Sequence, residues 1–324
     1  MKSLDVKLAR LHADAGAAQD FILADAKDAD MAFGLAAPGV DRGTGARRSL
    51  ADFRDQVREI SRQGLVDIML MSVSTSELLT VEEQLFAHST VTPAVRANDT
   101  TDIHVLAGAR YPLQTSRPFR TPTVGQIRMA AGVDLALYSI TPANDAEADA
   151  GALQAYRAFR AEAEDHGLRH FLELFAPAPA KGAPADPGRF LNDFAARSLA
   201  GVPRSGRPLF LKMPYYGASV MRELAAYDPH LIPGILGGAS GTTYDAFFLL
   251  EDARRNGARA ALFGRKIKDS EHPLTFVRHL RLIADGELDA QQACRSYHAE
   301  LERLAISPVR PLHKDLELTE RWGP

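Results

Sequence analysis

The chain has one cysteine, Cys294, among its 324 residues. A lone thiol cannot close an intramolecular disulfide, and it cannot furnish the several sulfurs of a cysteine-based zinc site. No apolar stretch reaches about 18 residues, the length at which a membrane-crossing helix becomes the natural reading. Neither sign of charge is in excess. Against 41 Asp plus Glu there are 38 Lys plus Arg, a formal charge of -3, which gives no electrostatic reason to bind nucleic acid or an anionic membrane. Acids at Asp5, Asp14, Asp20 and Asp25 stand where a secretory signal needs an apolar core, so the expected location is cytoplasmic. Metal-ligand spacing is also missing: His230 and His272 sit in turns beside prolines, and His166 and His170 straddle Gly167. No metal is therefore expected. Because no linker or shift in composition divides the chain, a single domain over 1–324 is expected.

Alternation fills the rest of the chain. Eight short apolar runs, at 31–35, 66–73, 103–106, 133–140, 171–175, 209–213, 231–236 and 260–263, are separated by stretches of helical period such as 49–63, 151–165, 187–199, 219–226 and 243–256. Strand–helix alternation repeated eight times predicts an α/β fold of the (β/α)8 TIM-barrel type, which needs about 250 residues plus extensions. Residues 4–27 are expected as an added N-terminal helix, and 290–304 as a C-terminal helix leading into a tail that ends at 324. The structural alternative is an open doubly wound sheet with a glycine-rich dinucleotide loop after its first strand. Here Gly39, Gly43 and Gly45 are spaced G-x-x-x-G-x-G, which is not that fingerprint.

Within this pattern Lys212 is out of place, because it interrupts the apolar run Leu209-Phe210-Leu211-Lys212-Met213. An unpaired ammonium in such a setting costs several kcal/mol, so a lysine placed there tends to become a neutral amine, able to attack a carbonyl and form an imine. The competing reading is a strand-end lysine that snorkels to water. In Phe171-Leu172-Glu173-Leu174-Phe175 the period of two puts Glu173 opposite the leucines, and the barrel interior near its mouth is the better place for a carboxylate. Glu173 and Lys212 then lie on consecutive strands, five and six, either as a proton shuttle beside a nucleophile or as a structural ion pair. Glycines follow strand seven, in Gly237-Gly238-Ala239-Ser240-Gly241, and Gly264-Arg265-Lys266 follows strand eight, where barrels often bind phosphate. Three further polar residues are candidates for substrate contact: Arg110 in the loop after the third run, Tyr138 on strand four and Tyr215 after Lys212. His104 reads as a core histidine.

In order and spacing, Leu211-Lys212-Met213-Pro214-Tyr215-Tyr216, Gly237-Gly238 and Phe263-Gly264-Arg265-Lys266-Ile267 resemble the motifs of the class I aldolases of the bacterial and archaeal fructose-bisphosphate, tagatose-bisphosphate and deoxyribose-phosphate superfamily. Phe171-Leu172-Glu173-Leu174 is similar to the tagatose-bisphosphate aldolase strand that carries a catalytic glutamate. The likeness covers most of the barrel and is strongest from Val133 onward. It implies that Lys212 forms the imine, that Glu173 is the acid–base group, and that Gly237, Gly238, Gly264 and Arg265 hold a phosphate. The implied activity is a Schiff-base carbon–carbon lyase of carbohydrate metabolism acting on a keto-sugar phosphate or similar anion. It needs no organic cofactor, and a homo-oligomer is expected. The chain also departs from the family. Ala176 stands where the archaeal fructose-bisphosphate branch has a tyrosine, residues 35–39 lack that branch's Asp-His-Gly, and strand four has no second lysine. A non-catalytic sugar-phosphate sensor, or another Schiff-base lyase or decarboxylase, therefore stays open.

Overall fold

The computed structural model describes residues 1–14, 18–41, 43–101, 115–177, 184–238 and 241–320. Its centre is a ring of parallel strands: β1 (Ile22–Lys27), β2 (Ile68–Met71), β3 (Thr92–Arg96), β4 (Leu135–Ile140), β5 (Arg169–Leu174), β6 (Leu211–Lys212), β7 (Gly234–Leu236) and β8 (Ala260–Phe263). Each strand pairs with its neighbour in sequence, and β1 pairs with β8. A parallel bridge between Met213 and Ile235 joins β6 to β7, with Met213 N–H donating to Gly234 O and Leu236 N–H to Met213 O, each at 2.9 Å. That bridge closes a (β/α)8 barrel with helices outside it.

Strand alternation sorts the side chains into two layers. Ile22 and Ala24 of β1, Ile68 and Leu70 of β2, Phe171 of β5, Phe210 just before β6 and Leu262 of β8 fill the interior. Their chain neighbours, among them Leu23, Met69, Leu172 and Phe263, face the surrounding helices. Each fully buried side chain of this kind stabilises the fold by roughly 1.5–3 kcal/mol. Local signals set the helix ends. Helix Leu50–Gln63 starts at a reciprocal Ser49–Asp52 capping box, buries Phe53, Val57 and Ile60, and stops at Gly64, whose φ of 72° is left-handed. Helix Ser3–Ala13 buries Leu4, Leu8 and Leu11 against the interior cluster and so plugs the barrel's lower end. It is anchored by Lys7 on Asp67 at 2.8 Å. No described helix is long and apolar enough to cross a membrane.

Two expected elements lie elsewhere. Residues 31–35 are not a strand but a short helix, Ala29–Phe33, and the 3-10 turn Gly34–Ala36. The first strand is β1, which the expected helix over 4–27 had absorbed. Asp25 and Lys27, paired at 3.0 Å, are buried within it, and these charges disguise a buried strand as a polar segment. The run 103–106 lies outside the described residues, and the third strand is Thr92–Arg96. Pro93 and Arg96 interrupt that short run, and proline ordinarily counts against a central strand. At the other end, helix Ala290–Arg303 is followed by the short helix Leu312–Asp315.

Barrel closure makes one glycine indispensable. A Cβ on Gly234 would lie 2.4 Å from Leu211 O and 2.9 Å from the Ala260 Cβ. Gly234→Ala is expected to lower unfolding stability by about 1–3 kcal/mol, the usual cost of overpacking, as measured by urea denaturation. Unchanged stability would mean that β6 and β7 do not approach this closely.

Candidate active site

One step above the apolar interior, toward the C-terminal ends of the strands, the inward side chains become charged. Pairing of β4 with β5 and of β5 with β6 sets Ser139 beside Glu173 and Glu173 beside Lys212. Lys212 Nζ lies 2.6 Å from Glu173 Oε1. The other carboxylate oxygen, Oε2, accepts a hydrogen bond from Ser139 Oγ at 2.6 Å and one from Arg96 Nη2 at 3.3 Å. Arg96, at the end of β3, also donates from Nε to Asp28 Oδ2 at 2.5 Å and from Nη1 to Ser139 Oγ at 2.8 Å. Asn98 holds Ser139 by its backbone, with bonds of 2.7 and 2.8 Å. Relative exposure is 1% for Glu173 and 6% for both Lys212 and Arg96, so these charges depend on one another rather than on water.

Burial alone would raise the Glu173 carboxyl, but Lys212 and Arg96, with the hydrogen bonds from Lys212 and Ser139, outweigh it and hold the group below the usual carboxylate range. Asp28 is depressed likewise: burial opposes the shift, and Arg96 and Lys212 overcome it. Asp99 behaves in the opposite way. Burial pushes it up to about 7; Arg96, 3.9 Å away, resists, and Asp28, Asp30 and Glu173 reinforce the rise.

Above this layer opens a cavity of about 440 Å³, with Lys212, Glu173, Arg96 and Asp28 among its lining residues and Gly237, Gly238, Gly264 and Arg265 in its wall. The glycines bring the backbone close. A Cβ on Gly237 would sit 2.1 Å from the Phe263 ring, one on Gly264 would sit 2.6 Å from Ala26 O, and Gly238 has a φ of +61°. The exposed Arg265 side chain places its guanidinium 5.9 Å above the Phe33 ring. Ala239 and Ser240 of the glycine loop, and Arg110 and His104, lie outside the described residues.

Both tyrosines expected to touch substrate are elsewhere. The alternation that turns Ser139 inward turns Tyr138 outward, where it stacks on Phe159 at 4.6 Å between ring centroids and burial pushes its hydroxyl up to about 12. Tyr215 is buried in the outer core and donates its hydroxyl to Asp252. His170 is likewise outside the site, 2.7 Å from the Tyr156 hydroxyl.

Three site residues escaped the sequence reading: Arg96, Asp28 and Ser139. The expectation of no acid after strand one is overturned, because β1 ends at Lys27 and Asp28 follows it directly. Had β1 and β3 been placed correctly, the residue at each strand's C-terminal end would have pointed to Asp28 and Arg96.

Among the described residues one trio of metal-capable groups converges, Cys294, His298 and Asp315. Its hydrogen bonds are already internal. Asp315 accepts from Thr243 N–H at 2.8 Å and lies 2.9 Å from His298 Nε2, while burial pushes the Cys294 thiol up to about 12. The trio fastens the C-terminal short helix to the barrel.

No protein-family model matches the chain, and no curated protein matches it in sequence. Solved structures match it in fold. A fructose-bisphosphate aldolase from Slackia heliotrinireducens superposes with a TM-score of 0.67 at 14% identity, over 97% of this chain and 95% of its own. An archaeal fructose 1,6-bisphosphate aldolase gives 0.62 at 15% identity, over 86% and 99%. Cgl0159 from Corynebacterium glutamicum gives 0.58 at 16% identity, over 88% and 97%. These three structures share the barrel fold of this chain, at sequence identities that speak to fold alone.

The raised Asp99 group makes stability depend on pH. Its folded-state value, about 7, lies above the ordinary 3.8, so the folded chain holds a proton that the unfolded chain releases. The resulting stabilisation is complete below about pH 4 and is lost as pH rises toward 7. Asp99→Asn is therefore expected to gain stability relative to wild type steadily from pH 4 to pH 7 in denaturant titrations. A pH-independent difference would show that Asp99 titrates normally.

Proposed function

We propose that the protein is a class I, Schiff-base carbon–carbon lyase acting on a small keto substrate with an anionic end, such as a keto-sugar phosphate. The observation that carries this reading is the Lys212 amine beside a 440 Å³ cavity, 2.6 Å from an ionised carboxylate. Glu173 is placed to take a proton from the Lys212 ammonium. The freed amine adds to the substrate ketone, and loss of water gives an iminium. A base then removes the proton of the hydroxyl two carbons beyond the iminium carbon. The carbon–carbon bond breaks, its electron pair moves into the iminium to form an enamine, and an aldehyde departs. Protonation of the enamine and hydrolysis release the ketone and regenerate the amine. Glu173 serves as the proton carrier in these steps, and the protein's own lysine supplies the electron sink, so the chemistry requires no organic cofactor.

The anionic end is assigned to Gly237, Gly238, Gly264 and Arg265. Glycine there lets backbone N–H groups approach oxygen, and the guanidinium adds a charge-assisted donor. The fold shared with two fructose-bisphosphate aldolases supports a sugar phosphate, while identities of 14% and 15% leave the carbon skeleton to experiment.

Borohydride reduction of the protein with a panel of keto-sugar phosphates, followed by intact mass, tests the reading. Wild type is expected to gain the mass of a reduced adduct and Lys212→Met none; an adduct on the mutant would assign the chemistry to another lysine. Glu173→Gln should still trap substrate while turnover falls about 10²-fold or more. A sensor would bind the same ligands without cleaving any.

Removal of the Arg265 guanidinium bears on the anionic subsite. Arg265→Ala should weaken binding of a phosphorylated ligand relative to its dephosphorylated analogue by about 1.5–3 kcal/mol, measured by calorimetry. Equal losses for both ligands would remove the phosphate from this wall.

A further inference from the structure

We propose that Arg96 is a positioning residue for Glu173: together with Ser139 it occupies one carboxylate oxygen, leaving the other as the face presented to Lys212 and the substrate. The inference rests on reading Glu173 as the proton carrier for Lys212.

The geometry is specific to a guanidinium. Arg96 uses three nitrogens in three directions, Nε on Asp28 at 2.5 Å, Nη1 on Ser139 Oγ at 2.8 Å and Nη2 on Glu173 Oε2 at 3.3 Å. A lysine in its place could not span this fork, because its donors radiate from a single nitrogen. Ser139 Oγ accepts from Arg96 and donates its own O–H to Glu173 Oε2 at 2.6 Å, so that oxygen has two donors while the lysine contacts the other. Oε1, at 2.6 Å from Lys212 Nζ, is the oxygen through which a proton can move.

Arg96 also supplies what Lys212 cannot, a charge that persists. Lys212 is cationic as ammonium and as iminium, and neutral as amine, carbinolamine and enamine. At each neutral stage a buried Glu173 would lose its counter-charge and tend to take up a proton. Arginine remains protonated throughout, so Arg96 keeps Glu173 a base across the cycle. The charged groups facing Glu173 are Lys212, Arg96 and the like-charged Asp99; those facing Arg96 are Asp28, Asp99 and Glu173. Asp28 offsets part of the Arg96 charge, but Arg96 is the one in contact with the Glu173 carboxylate, so its influence there dominates.

The test compares wild type, Arg96→Lys, and the double variant Arg96→Met/Asp28→Asn, which removes the guanidinium without stranding its acid. Glu173 is followed in the free protein by titrating side-chain carboxyl ¹³C signals, assigned with Glu173→Gln. In the double variant its midpoint is expected to rise by about one pH unit or more, with Arg96→Lys in between. With a keto-sugar phosphate that wild type cleaves, the acid limb of the turnover profile should move up by the same amount while KM changes little, and Lys212 should still be trapped by borohydride. A purely structural arginine would lower turnover at every pH without moving the limb. An unchanged Glu173 midpoint in the folded double variant, or in Arg96→Lys should the double variant not fold, overturns the inference. Because the carboxyl titration needs no substrate, failure of wild type to trap any carbonyl compound would defeat the lyase reading and leave this one to be decided separately.

Discussion

A charge can stay inside a barrel only if an opposite charge stays with it, and the mouth of this barrel is organised by that constraint. Lys212 and Arg96 stand against Glu173 and Asp28, two cations and two anions, all nearly sealed from water. Below them the interior is apolar, and above them the cavity opens. Taking one member away would leave a partner uncompensated, at a cost of roughly 3–5 kcal/mol for a buried pair. The four residues come from the C-terminal ends of β1, β3, β5 and β6 or the position just beyond, so the same interactions that satisfy the charges hold these strand ends in register.

Register then decides what else reaches the site. Because side chains alternate, a strand that offers Ser139 to the interior must give Tyr138 to the helices, and Tyr138 stacks there on Phe159. On β1 the same rule sets Asp25 and Lys27 on the face opposite Ala24, with Lys27 at the strand's end bordering the cavity. Burial raises the Asp25 carboxyl, and Lys27, 3.0 Å away, opposes that rise. This second pair has no fork of donors around it, which sets it apart from the Glu173 site: Ser139 and Arg96 have no counterpart among the hydrogen bonds of Asp25 in the described residues.

Most of the fold was legible because apolar runs on β2 and β4 to β8 are bounded by turns and followed by helical period, which places six of the eight βα units; β1 and β3 lie elsewhere than the runs read for them. Lys212 and Glu173 were legible for a related reason: a charge inside an apolar run stands out. Asp28 and Arg96 did not stand out, since each follows a run already broken by polar residues or proline, and their chemistry appears only when the strand ends are set side by side. Tyr138 shows the converse limit. Its position on a strand was clear, but the face it occupied depended on a register that Ser139, not the tyrosine, determines.

The composition of the charged layer bears on whether this barrel performs chemistry or only binds. An ion pair buried as deeply as Lys212–Glu173 adds little net stability over well-packed apolar side chains of the same volume. Folding alone does not require one at the floor of a cavity, although the buried Lys27–Asp25 pair shows that this barrel also holds an ion pair to which no chemistry is assigned. Binding an anion gives no reason either, because Glu173 would repel the ligand that Lys212 attracts. An amine and an ionised carboxylate 2.6 Å apart make sense together when a proton has to pass between them, and a nucleophilic amine is the group whose reactivity depends on that transfer. Under the proposed lyase reading, with Oε2 held by two donors, the transfer would run from Nζ to Oε1 and onward to whatever lies in the cavity. The physical cost of the pair therefore fits the proposed lyase reading, in which Lys212 must shed and regain a proton.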